Sequence, residues 1–118
     1  MSKRCKLTDI DRLEHIIGAI DELMSLLEGV KADVLSDNRV LLLASAKLYE
    51  IIGEATAKLT EQAKAMDSSV EWPEMVGMRN VLVHDYDLIA AYVLIDTTRE
   101  FLPKLRPKIE AILMRLRQ

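Results

Sequence analysis

The stretch SDNRVLLLASAKLYEIIGEATAKL, residues 36–59, decides the fold. One apolar stripe in it reads Leu41, Ala44, Leu48, Ile51, Ala55 and Leu59, and a second reads Ser45, Tyr49, Ile52 and Thr56. Steps of three and four keep side chains on one face of a helix, whereas a half-buried strand needs alternation every second residue. Two stripes leave this helix apolar over much of its girth, so it has to be covered on two sides. Ser36-Asp37-Asn38 offers a cap, and the spacing predicts helix from there to about Met66. In a four-helix domain of this size, one of the two covers is left open to a second subunit.

Toward the N-terminus, Thr8 is a good N-cap, and Asp9 and Asp11 fall in the first turn, where the dipole favours carboxylates. Ile10, Leu13, Ile17, Ile20, Met24 and Leu27 then form a heptad-like stripe that ends near Glu28-Gly29, glycine suiting a C-terminal cap. His15 lies off the stripe and reads as solvated. Toward the C-terminus, DSSVEWPEM (67–75) is a break, with Trp72 as a plug for the core corner and Pro73 in the first turn of a third helix to about Val83. A fourth helix is expected from an Asp87 cap through Leu88, Ala91, Tyr92, Ile95 and Leu102. Pro103 and Pro107 should kink it or split off a terminal helix, since each removes a backbone donor. No segment keeps a period of two, and no repeat, linker or low-complexity tract interrupts the chain. The expected fold is all-α: one domain over residues 1–118, an up-and-down four-helix bundle with a short motif-bearing helix and a kinked or split C-terminal helix.

Composition agrees. Half of the 118 residues are apolar but only 4% aromatic, so the core is built from Leu, Ile, Val, Ala and Met. That suits packed helices. No apolar run reaches the roughly 18 residues of a membrane span, and the first residues do not read as a signal peptide. One cysteine, Cys5, cannot form an internal disulfide, and with no general base nearby it reads as incidental; a cytoplasmic location is expected. Net charge is -3, unevenly spread: +3 over residues 1–8, +4 over 99–118 and -10 over the 90 residues between. The total argues mildly against a nucleic-acid binder, while the basic ends leave room for a local patch.

The chemistry-bearing stretch is RNVLVHDY, residues 79–86, where Arg79, His84 and Tyr86 stand around an apolar run. With eight arginines and two histidines in the chain, chance alone gives an Arg-x4-His pair in about one such sequence in seven, so the pair is weak evidence by itself. Two readings stand here. In the structural one, His84 caps a helix C-terminus and Arg79 pairs with Asp85 or Asp87. In the functional one these residues form a site. On a helix, five residues turn through about 140° net, so Arg79 and His84 do not share a face, whereas Asn80 and His84, four apart, do. A dimer joining two such helix ends would bring two arginines and two histidines to one cleft. That set suits phosphodiester cleavage with no metal or cofactor. One neutral imidazole takes the proton of a ribose 2'-hydroxyl, another protonates the leaving oxygen, and the arginines hold the phosphate as charge builds. Metal ligation by His84, Asp85 and Asp87 is disfavoured because adjacent positions point apart, and phosphate loops and nucleophilic triads have no support.

GMRNVLVHDY (77–86) resembles the Arg-x4-His-x-Tyr signature of the HEPN superfamily, specifically its HepT-like toxins. IIGEATAKL (51–59) is similar to that family's Ile-Gly-Glu-Ala stretch, and Trp72 and FLPKL (101–105) fit as well. The likeness covers roughly residues 8–115, and several matches in order are far more specific than the motif alone. It implies an all-α homodimer with a composite ribonuclease site: Arg79 and His84 as the catalytic pair and Asn80 in support. It implies the toxin half of a type VII-like toxin-antitoxin pair acting on tRNA or mRNA. The antitoxin would be a minimal nucleotidyltransferase that transfers AMP from ATP onto Tyr86. An attached AMP would fill the RNA path and repel its backbone. Two other classes compete: a non-catalytic helical module that binds a nucleotidyltransferase or nucleotide, and a bundle with no site at all.

Overall fold

A computed structural model, describing residues 7–80 and 88–118, starts helix α1 (Asp9–Leu26) at the cap the sequence offers. Thr8 and Asp11 form a reciprocal capping box: the Asp11 amide donates to Thr8 Oγ1 at 3.2 Å and the Thr8 amide donates to Asp11 Oδ2 at 2.9 Å. The Thr8 amide first, and then the Thr8 hydroxyl donating to the same Oδ2 at 3.0 Å, hold the Asp11 carboxyl below the usual carboxylate range. Past the end of α1, Gly29 takes a φ of 71°, which an L side chain resists. The buried face of α1 is Leu13, Ile16, Ala19, Ile20 and Leu23, with Leu27 beyond, while Ile10, Ile17 and Met24 are only half-buried. The stripe is therefore broader than the single heptad row expected, because α1 packs between two helices, α3 and α7. His15 is exposed, as read.

After the short α2 (Ala32–Asp37), Asn38 Oδ1 accepts from the Leu41 amide at 3.0 Å and starts α3 (Arg39–Ala57). Of the two stripes on α3, the one through Ser45, Tyr49, Ile52 and Thr56 enters this chain's core, whereas Leu41, Leu48 and Ile51 of the other stay half-buried. Buried hydroxyls are satisfied locally: Ser45 donates to the Leu41 carbonyl at 2.8 Å and Thr56 to that of Ile52 at 2.7 Å. Tyr49 Oη lies 2.6 Å from Thr98 Oγ1, which in turn donates to the Leu94 carbonyl, and burial pushes the Tyr49 phenol well up.

The helix expected to reach Met66 stops at Ala57. Thr60 competes with its continuation by capping α4 (Glu61–Lys64), accepting from the Ala63 amide at 3.1 Å. Asp9 fixes that corner, taking the Thr60 amide at 3.0 Å and its hydroxyl at 2.6 Å. Trp72 is half-buried against the core, and its indole N–H donates to the carbonyls of Lys64 and Asp67 at 3.0 and 3.1 Å. Pro73 lies in the first turn of α5 (Trp72–Gly77), which tightens into a 3-10 turn at Met78–Asn80.

The chain is next described from α6 (Leu88–Asp96), with residues 81–87, including the expected Asp87 cap, outside the described residues. A π-helical turn over Thr97–Phe101 then leads into α7 (Leu102–Arg117). Where a kink or split was expected, the backbone stays in the right-handed helical region through Asp96, Phe101 and Leu102, and the π turn just ahead of Pro103 accommodates its missing N–H. Pro107 is carried inside α7 without ending it. Arg106 binds both oxygens of Asp21 at 2.7 and 3.0 Å and Arg117 pairs with Glu14, so part of the basic C-terminal segment is tied to α1. The result is the expected all-α bundle.

Gly18 is exposed in the middle of α1, and a Cβ there would meet nothing within 4 Å. Gly18→Ala is expected to stabilise the fold by about 0.5–1 kcal/mol through helix propensity. Urea melts check this: the midpoint should rise with the slope unchanged.

Candidate active site

Gly53 explains why the 3-10 turn carrying Arg79 lies where it does. A Cβ at Gly53 would fall 2.4 Å from the Arg79 amide nitrogen, 2.7 Å from its Cβ and 2.9 Å from its Cα. Only a bare backbone lets the two segments approach so closely. The Arg79 main chain therefore rests directly on α3. Met78, 8% exposed, anchors the turn from the core side.

With its backbone held there, Arg79 reaches the next residue of α3: Nη1 donates to Glu54 Oε1 at 3.0 Å. Both side chains are open to solvent, Arg79 at 43% and Glu54 at 49%. Exposed ion pairs contribute about 0–1 kcal/mol, so the Gly53 contact, not the salt bridge, holds the turn. One turn earlier on α3, Lys47 pairs with Glu50 at 2.9 Å, and that carboxylate raises the lysine pKa. The sequence reading offered Asp85 or Asp87 as the arginine's partner; Glu54 fills that role, and residues 85 and 87 lie outside the described residues. The Gly-Glu pair of the Ile-Gly-Glu-Ala stretch gains its role only from this tertiary approach.

Asn80 is exposed beside Arg79 on the same turn. The 3-10 turn is described only as far as Asn80, so the face expected to be shared by Asn80 and His84 falls outside the described residues. His84 and Tyr86 lie outside the described residues, as does Cys5. Nearby, a groove of about 490 Å³ runs between α5 and α6, lined by Tyr49, Met78, Val93 and Phe101 with Glu71 and Glu74. Glu71 hydrogen-bonds Glu74 and lifts its carboxyl above the usual range. An acidic lining of this kind repels anions, and Arg79 is not part of it. Among the described residues, no three His, Cys, Asp or Glu side chains gather as metal ligands would.

A half-exposed arginine, whose guanidinium makes one bond to Glu54 among the described residues and has five N–H donors, is suited to gripping a phosphodiester. Comparison with known proteins gives the family. Residues 16–112, which include α3 and the whole of the 79–86 stretch, match the family model described as ribonuclease HepT-like. The chain belongs to the HepT-like ribonuclease family. This HepT-like chain is 30% identical over 103 residues to a protein of Caldanaerobacter subterraneus subsp. tengcongensis assigned by name as an RNase, a match covering 87% of the chain and 92% of that protein. It is 32% identical over 103 residues to a Thermococcus cleftensis protein assigned as ribonuclease HepT, covering 86% and 93%. A Methanocaldococcus jannaschii protein assigned as an RNase is 27% identical over 100 residues, covering 85% and 92%. No solved structure matches it. The family places RNA cleavage as the general activity, and among the described residues no helix is long and apolar enough to cross a membrane.

Proposed function

We propose that this ribonuclease is the toxin of a toxin-antitoxin pair, cutting tRNA or mRNA without metal at a cleft shared by two copies of the chain. Arg79 and His84 from both copies form the catalytic set, with Asn80 in support. The observation that carries this reading is Arg79 itself, its backbone seated on Gly53 and its guanidinium half-exposed. The dimer gains support from α6, which opens two residues after Tyr86 and leaves Leu88, Ile89, Tyr92 and Val93 between 45% and 74% exposed. Four such side chains on consecutive turns form the kind of apolar surface that partners cover. The half-buried Leu41, Leu48 and Ile51 on α3 offer a second one.

In this reading one His84 imidazole accepts the 2'-hydroxyl proton as that oxygen attacks phosphorus, and the other protonates the departing 5'-oxygen. The arginines stabilise the doubly charged phosphorane. Neutralisation is transfer of AMP from ATP onto the Tyr86 hydroxyl by a minimal nucleotidyltransferase antitoxin, with pyrophosphate as the leaving group, which places a base and a phosphate charge beside the cleft. The expected result is RNA cleavage that persists in EDTA and stops once AMP is attached, read on gels with the attachment followed by intact mass. Cleavage that requires added divalent metal, or a modified form that cuts as fast as the unmodified one, would count against this mechanism.

The runner-up is a binding module whose bundle docks a nucleotidyltransferase or a nucleotide, favoured by the excess of acidic residues between the chain ends. It prevails if Arg79→Ala and His84→Ala are as toxic on expression as the parent and both still retain the partner.

A further inference from the structure

Glu54 stands beside the motif in space but 25 residues before Arg79 in sequence. It follows Gly53 directly on α3, so the residue that seats the Arg79 backbone and the residue that meets its guanidinium are neighbours on one rigid turn. With the backbone fixed by Gly53 and one N–H fixed by the Glu54 carboxylate at 3.0 Å, the guanidinium is constrained at both ends. Both groups are roughly half-exposed, which leaves the pair open to exchange with an arriving anion. A carboxylate in that place also offsets the arginine's charge. A phosphodiester carrying one negative charge then gains little by displacing it, whereas a phosphorane carrying two gains more.

We propose that Glu54 is the positioning residue of Arg79, orienting the guanidinium and reserving its grip for the cleavage step rather than for resting RNA. This rests on the reading of Arg79 as part of the ribonuclease site. Glu54→Gln keeps the shape and an acceptor oxygen but removes the charge. It should therefore lower KM several-fold and also lower kcat by about 10–100-fold, a split that a purely structural contact would not give. In the non-cutting His84→Ala background the same change should tighten RNA binding and steepen its salt dependence by about one phosphate contact.

The test uses the full chain, bulk tRNA and a labelled single-stranded RNA of mixed sequence as probes, with thermal melts to confirm folding. In an Arg79→Ala background, Glu54→Gln should have no further effect on kcat, because it acts only through the arginine. If Arg79→Ala cuts cleavage by about 10²–10⁴-fold while Glu54→Gln leaves kcat, KM and salt slope at parent values, the positioning role is overturned and the site reading survives. Arg79→Ala that cuts like the parent, or a parent that cuts neither RNA, overturns both.

Discussion

Gly53→Ala is expected to lift the Arg79 turn off α3, lowering stability by about 1–3 kcal/mol and RNA cleavage by about 100-fold. The size follows from what the new methyl would strike. Its nearest neighbours are the amide nitrogen, Cβ and Cα of Arg79, at 2.4, 2.7 and 2.9 Å, not the tip of a side chain that could swing aside. Main chain has to move, and the turn is held on its other side by buried Met78, so it cannot slide freely. Alanine's better helix propensity returns about 1 kcal/mol, which limits the net loss of stability without restoring the arginine's place. A displacement of about 1 Å at a catalytic group is enough for the loss in rate. Gly18→Ala, where open space surrounds the new methyl, is the control and should shift the melt in the opposite direction. Equal melting temperatures and equal cleavage rates for the two variants would mean the turn does not depend on contact with Gly53.

The helical plan was legible because its signals are local. Thr8 with Asp11, Asn38 with Leu41, and Pro73 in a first turn each act within four residues, and each appears where the spacing placed it. Misreadings arose where distant parts of the chain decide. Thr60 ends α3 early, and its corner is set by Asp9, a contact across 51 residues that no periodicity reveals. The extra breadth of the α1 face likewise depends on α7, which reaches it through Arg106 to Asp21 and Arg117 to Glu14. Pro103 and Pro107 were read alike, yet a π-turn absorbs the first and the helix carries the second. The site divides in the same way. Arg79 could be picked from its motif, but its ion partner could not, because Glu54 meets it only through the close approach at Gly53.

Mixing two inactive variants is expected to restore cleavage if the site is built from both copies. Arg79→Ala and His84→Ala homodimers should each lose about 10²–10⁴-fold in rate, the first for want of phosphate stabilisation and the second for want of proton transfer. Coexpressed chains that pair at random form heterodimers in about half of the population, since a two-fold interface does not distinguish them. Each heterodimer cleft then holds one arginine from one copy and one histidine from the other, half of the proposed set: the single imidazole takes the 2'-hydroxyl proton, solvent protonates the departing oxygen and one guanidinium holds the phosphate. Activity should recover to a measurable fraction of the parent's, far above either variant alone. A site confined to one protomer gives the opposite result, because no chain in the mixture carries both residues. Tagging the two variants differently and purifying on both tags isolates the heterodimer, and sizing chromatography confirms its state. An isolated heterodimer as inactive as its parents would sink a cleft in which one arginine from one copy and one histidine from the other suffice.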